Sequence, residues 1–88
     1  MEWCVYVIEC ASGAYYTGST HDLERRYRLH LAGKGARYTR MDCPRRIVAV
    51  APCESKSAAL KLEAALKKLP RRAKQAWVLE HSGVTRRS

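Results

Sequence analysis

Five side chains in this sequence have types and spacings that can do chemistry together: Tyr6, Tyr16, Arg26, His30 and Glu63. A phenol or an imidazole can move a proton to or from water, a guanidinium steadies negative charge on an oxyanion, and a carboxylate accepts a proton or grips a cation. Singly, each is ordinary. Tyrosines are common in strands, an arginine on a helix is usually solvated, and Glu63 has Lys67 four residues on as a simple helical ion-pair partner. Their order along the chain gives them meaning, and that order matters only through the elements that hold them.

The run Trp3 to Glu9 is β-branched and aromatic, and after Ala11-Ser12-Gly13 a second run, Ala14 to Ser19, has the same character, so the two read as a hairpin. Gly13 is the third of three turn residues, where a type I turn followed by a left-handed residue wants glycine. A three-residue loop sets Tyr6 opposite Gly18 and Ile8 opposite Tyr16, which puts both tyrosine hydroxyls diagonally on one face. A two-residue loop would send them to opposite faces. Thr20 or Asp22 then caps a helix through Leu23, Arg26, Tyr27, His30 and Leu31 that Gly33 stops. At about 100° per residue, Leu23, Arg26, Tyr27 and His30 share one side, so Arg26 and His30 lie on the apolar face.

Further on, Gly-Lys-Gly-Ala-Arg-Tyr-Thr-Arg reads as a mobile basic loop. Arg46 to Ala51 resembles a short central strand bounded by Pro44 and Pro52. Ser55 or Ser57 opens a helix with the stripe Ala58, Ala59, Leu62, Ala65, Leu66 and Leu69, and Glu63 lies at the edge of that stripe. Pro70 ends it and starts another helix, which runs to about Glu80 with Ala73, Ala76, Trp77 and Leu79 facing inward. The expected fold is therefore one α/β (α+β) domain over residues 1–81, a small three-stranded antiparallel sheet flanked by about three helices. Residues 82–88 are expected to be a flexible basic tail.

The chain has 88 residues with 17 Lys/Arg and 8 Asp/Glu, a formal charge of +9. Residues 1–24 hold four acids and no Lys or Arg, so all the bases fall after them. That density favours a polyanionic partner, with nucleic acid ahead of an acidic membrane or an acidic protein. No apolar run approaches the length of a membrane span and no secretory signal is apparent, so the expected location is the cytoplasm, with no membrane partner. Cys4, Cys10, Cys43 and Cys53 include no Cys-x-x-Cys pair, and without an export signal they are expected to stay reduced and pack as small hydrophobes.

The order Val5-Tyr6-Val7, turn, Tyr16-Thr17-Gly18, then Arg26 with His30, then Glu63 in a later helix resembles the GIY-YIG nuclease family. The likeness spans residue 3 to about residue 75, and the length is similar to that of small stand-alone bacterial members and the nuclease core of structure-specific junction endonucleases. The first triplet reads Cys-Val-Tyr where Gly-Ile-Tyr is usual, and Thr17 stands where isoleucine is usual. Both tyrosines remain, so these departures touch packing more than chemistry. Carried over by position, the resemblance implies Tyr6 and Tyr16 as the motif tyrosines, Arg26 as the active-site arginine, His30 near the reacting phosphate, and Glu63 as the metal ligand. Gln75 stands where some members have an active-site asparagine. The implied activity is an endonuclease that cuts DNA, single-stranded or branched DNA included, with Mg²⁺ or Mn²⁺ and leaves 5′ phosphate and 3′ hydroxyl ends.

The residue types explain how such a set works. One carboxylate suits Mg²⁺, which keeps several waters and takes a substrate phosphate as a further ligand. Arg26 offsets charge on the non-bridging oxygens. Tyr6 is a candidate base if nearby positive charge favours its ionised form; otherwise it positions water and His30 is the competing base. Arg25, Arg28, Lys34, Arg37 and Arg40 surround the first helix and the loop, and Lys67, Lys68, Arg71, Arg72 and Lys74 surround the last two helices, as phosphate contacts. Tyr38 can stack on an exposed base. The alternative is a nucleic-acid-binding module with the same fold and no effective catalysis, dependent on a partner protein. Glu63, an acid among many bases, favours the enzyme. Selectivity is then expected from substrate shape, from the basic loop or from a protein partner.

Overall fold

A computed structural model describes residues 2–33 and 42–86. The elements follow in the order β1 (Trp3–Cys10), β2 (Tyr15–Thr20), α1 (Leu23–Leu31), β3 (Pro44–Cys53), α2 (Lys56–Lys67) and α3 (Arg71–Arg86). Lys34, Arg37, Tyr38 and Arg40 lie outside the described residues.

The three strands form one antiparallel sheet in the order β2-β1-β3. The expected hairpin is present, with Tyr6 opposite Gly18 and Ile8 opposite Tyr16. Gly13 has φ +91°, a left-handed conformation open to glycine at little cost, and its N–H closes the turn on the Cys10 carbonyl at 2.9 Å. Arg71 at the start of α3 donates to the Gly13 carbonyl at 3.3 Å, tying the last helix to this turn.

β1 is the central strand, and Val5, Tyr6, Val7 and Ile8 are all buried because helices cover both faces of the sheet. Tyr6, Ile8 and Cys10 pack with Tyr16, Ile47 and Val50 beneath Leu23 and Tyr27 of α1. On the opposite face Val5 and Val7 pack with Ala59 and Leu66 of α2 and with Trp77 and Val78 of α3. Asp22 caps α1 by accepting from the Arg25 N–H at 3.3 Å, and Ser55 caps α2 by accepting from the Ala58 N–H at 3.1 Å. Gly33, at φ +75°, follows the end of α1.

Several sequence expectations change. β3 is an edge strand that includes both Pro44 and Pro52, rather than a short central strand between them. An edge strand has a ladder partner on one side only, so a missing proline N–H is tolerated there. In α3 the buried line runs through Trp77 and Val78, which turns Leu79 outward to 75 % exposure and leaves Ala76 exposed. Ala65 of α2 is exposed, and so is Leu69, which lies beyond the end of that helix, so the buried stripe is narrower than the sequence pattern. α3 continues through residues 82–86, past the expected helix end near Glu80. No proline interrupts them, and extending a formed helix fixes only one residue per added bond. Cys10 is buried, Cys4 and Cys53 are half-buried, and Cys43 is exposed rather than packed, because it precedes the edge strand. No helix among the described residues is long and apolar enough to cross a membrane.

Candidate functional site

The site forms around β2, the edge strand that α1 flanks on one face of the sheet and α2 on the other. Strand alternation sends Tyr16 and Tyr6 towards α1 and sends Ser19, opposite Val5, towards α2. Gly18 faces Tyr6, and a Cβ at position 18 would lie 2.5 Å from the Tyr6 hydroxyl oxygen and 2.6 Å from Cζ. Glycine is needed here for space, since the phenol occupies the volume of a side chain.

On the α1 face the Tyr6 hydroxyl lies 3.0 Å from His30 Nε2, and both side chains are only 1 % exposed. Tyr16 meets the His30 ring edge-on at 5.1 Å and the Tyr6 ring at 6.4 Å between centroids. Burial pushes the Tyr6 phenol up to about 12, against the lowering effect of a hydrogen bond from Arg26; Tyr16 and the charge of Glu63 add to the rise. Burial and the Arg26 charge both lower His30 from the ordinary histidine value. Tyr6 is therefore a protonated phenol at pH 7, and its hydroxyl shares with His30 Nε2 a hydrogen bond whose direction follows the imidazole tautomer. The same burial works against ionisation of Tyr6.

Arg26 joins this pair to the carboxylate. It hydrogen-bonds Tyr6, and its charge favours the ionised form of Glu63. Its Nε–H is buried without a protein acceptor among the described residues. Thr17 Oγ1 is likewise buried and unpartnered, on the opposite face of β2.

Glu63 has a side chain 18 % exposed. Its Oε1 accepts from Ser19 Oγ at 2.6 Å, and its Oε2 pairs with Lys67 Nζ at 2.8 Å. Burial alone raises its pKa, but the bonds from Lys67 and Ser19, with the charges of Lys67 and Arg26, outweigh that and hold the carboxyl below its ordinary value. An ionised, partly open carboxylate is a suitable hard ligand. Among the described residues no three His, Cys, Asp or Glu side chains gather into a cage. A cation at Glu63 would thus take its other ligands from water and a substrate phosphate, coordination that Mg²⁺ or Mn²⁺ accepts.

Of the remaining sequence candidates, Arg25 is exposed and lines an open cavity of about 260 Å³ with Thr20, His21, Asp22, Arg26 and Leu29. Lys67 is bound to Glu63 as described. Lys74 is half-buried, and burial together with the Lys67 charge lowers its pKa. Gln75 is exposed on α3, which packs chiefly on β3 at the other edge of the sheet from β2. Sequence reasoning missed Ser19. Its only signal is its place two residues after Thr17 on the face that meets α2, which becomes informative once α2 is known to pack there.

Comparison with known proteins places this geometry in context. The family model for the GIY-YIG catalytic domain matches residues 2–76. A UPF0213 protein of Xanthomonas axonopodis pv. citri is 47 % identical over 76 residues, covering 86 % of this chain and 74 % of that protein. A UPF0213 protein of Halalkalibacterium halodurans is 45 % identical over 75 residues, covering 85 % and 80 %. The solution NMR structure of a UPF0213 protein from Bacillus halodurans superimposes with a TM-score of 0.62 at 43 % identity, covering 94 % of this chain and 88 % of that one.

Proposed function

The chain belongs to the GIY-YIG family, and on that premise we propose that it is a divalent-metal-dependent endonuclease that hydrolyses DNA phosphodiester bonds. The observation that carries this reading is the convergence on Arg26 of a protonated tyrosine bonded to a neutral histidine and an ionised carboxylate. A module built only to hold a polyanion has no use for an ionised acid beside its arginine.

In this reading the scissile phosphate lies against the Arg26 guanidinium, which neutralises charge on its non-bridging oxygens. The attacking water gives a proton to the Tyr6 oxygen as Tyr6 passes its own proton to His30 Nε2. Tyr6 thus serves without ionising, and His30 is the base that keeps the proton. Tyr16 packs edge-on against His30 and holds the imidazole in place. Glu63 holds the Mg²⁺ or Mn²⁺, with Ser19 orienting its carboxylate. When bound, the ion polarises the phosphate and stabilises charge on the departing 3′ oxygen. The water oxygen bonds to phosphorus as the phosphorus–O3′ bond breaks, and O3′ takes a proton from solvent, so the products carry a 5′ phosphate and a 3′ hydroxyl. Arg25 and Lys74 hold flanking phosphates, as do Lys34, Arg37 and Arg40, with Tyr38 stacking on a base and Gln75 contacting the strand.

The test is cleavage of end-labelled single-stranded, duplex, flap and four-way-junction DNA with Mg²⁺ or Mn²⁺. Cutting by the native chain and at least about a hundredfold loss in Glu63→Ala are expected. Equal cutting by the variant would remove Glu63 from the reaction, and binding without cutting on every substrate would leave a nucleic-acid-binding module.

A further inference from the structure

Glu63 already has a cation. Lys67 Nζ lies 2.8 Å from Oε2 while Ser19 occupies Oε1, so both carboxylate oxygens are engaged before any metal arrives. On an open helix surface such a pair one turn apart would be trivial. Here the carboxylate is largely enclosed at 18 % exposure, whereas the Lys67 side chain is 53 % exposed and free to swing outward.

We propose that Lys67 is an internal counter-cation that occupies the metal position at Glu63 in the free protein and is drawn off by a substrate phosphate. Metal and nucleic acid then bind cooperatively. This rests on Glu63 being the metal ligand of the nuclease reading. A phosphate entering the site offers Lys67 a new anion and offers the metal a further oxygen, so one event frees the carboxylate and completes the coordination. The free protein would bind Mg²⁺ or Mn²⁺ weakly, which keeps the site unarmed until a strand is seated. Since exchange of one partly exposed ion pair costs little, the effect should be moderate, about three- to fivefold in metal affinity.

The experiment is a titration of Mn²⁺ into the protein without nucleic acid, read by calorimetry and by water-proton relaxation. Lys67→Met should bind Mn²⁺ about three- to fivefold more tightly than the native chain, and Lys67→Met/Glu63→Gln should lose that gain. Lys68→Met removes the same charge from the adjacent exposed position and should change affinity far less. In a second arm, a short labelled phosphorothioate oligonucleotide is followed by anisotropy with and without Mn²⁺. The metal should tighten its binding to the native chain more than to Lys67→Met, since linkage is reciprocal. A Lys67→Met chain that binds Mn²⁺ no more tightly, a gain that survives Glu63→Gln, or equal coupling in both chains would overturn the proposal. Neither arm needs turnover, so absence of cleavage refutes the nuclease reading and leaves these outcomes interpretable on their own.

Discussion

His30 and Thr17 are the residues whose surroundings give the sharpest single-site expectations. The folded His30 has a lowered pKa, so between that value and the ordinary 6.5 the unfolded chain binds a proton that the folded chain does not. Stability therefore falls as the pH drops below about 6.5. Glu63 acts with the same sign further down: its depressed carboxyl contributes stability above the ordinary carboxylate range, lost as the pH falls through its folded value. The thermal midpoint should decline from about pH 7 to pH 5, and His30→Gln, which does not titrate, should flatten that decline. The cleavage rate should keep its alkaline level to below pH 6.5 in the native chain, because the base is neutral there; an acid limb above 6.5 would remove His30 from that role. Thr17 supplies a second case. Its buried hydroxyl has no hydrogen-bond partner among the described residues, and Thr17→Val keeps the shape while removing that group. The variant should gain about 1 kcal/mol and melt about 4–8 °C higher; an unchanged or lower midpoint in calorimetry would show that the hydroxyl is satisfied in solution. Two local periods, two in the hairpin and 3.6 in α1, made Tyr6 and Tyr16 legible as one pair and Arg26 and His30 as another; it is the family resemblance that made all four legible as one group. Ser19 was not, since its partner Glu63 is 44 residues away and reaches it by tertiary packing alone.

The hairpin of β1 and β2 shows what an element adds to its residues. Its register follows from one glycine in the turn, and that register places Gly18 beneath the Tyr6 phenol. Gly18→Ala sets a methyl group 2.5 Å from the hydroxyl oxygen and 2.6 Å from Cζ of a buried ring that has no room to retreat. The cost should be about 1–3 kcal/mol, as for overpacking elsewhere, and the Tyr6–His30 contact should break, lowering cleavage along with stability. Tyr6→Phe alone should keep the fold while losing the proton path. In Tyr6→Phe the alanine should still destabilise, because the ring carbon remains too close. Full rescue of Gly18→Ala by Tyr6→Phe, measured as denaturation midpoints in a double-mutant cycle, would show that only the hydroxyl is crowded. The other strand was harder to read. A proline-bounded apolar run looks central or peripheral alike from sequence, and β3 becomes an edge only through the long-range choice of β1 as its neighbour. In α3, leucine at position 79 and alanine at 76 look more apolar than Lys74, yet the helix turns the line Ala73, Lys74, Trp77 and Val78 inward. A lysine stem can line such a face while its ammonium reaches water, which a hydrophobic pattern does not register.

Across the whole molecule, the acids of the first 24 residues are partly matched, with Glu9 to Arg46 at 3.0 Å and Glu24 to Arg28 at 2.9 Å. Pairing redistributes charge but does not remove a net +9, so the excess stands on the later helices and the basic segment between α1 and β3. A polyanion that settles on such a surface displaces condensed counterions, and each phosphate gripped adds a fixed increment to the salt dependence. For single-stranded DNA, log affinity should fall against log salt with a slope of about −0.7 per phosphate contacted. A strand across α1 and the end of α2 meeting about four phosphates would give a slope near −3. Arg25→Gln should weaken every sequence alike and reduce the slope by about 0.7, while leaving the folding stability within about 0.5 kcal/mol of native because the side chain is exposed. Anisotropy titrations at several salt concentrations measure both quantities. A slope near zero would mean that the charge serves solubility and not substrate. A steep slope that Arg25→Gln leaves unchanged would move the strand off the first turn of α1, away from the arginine and histidine that the chemistry needs.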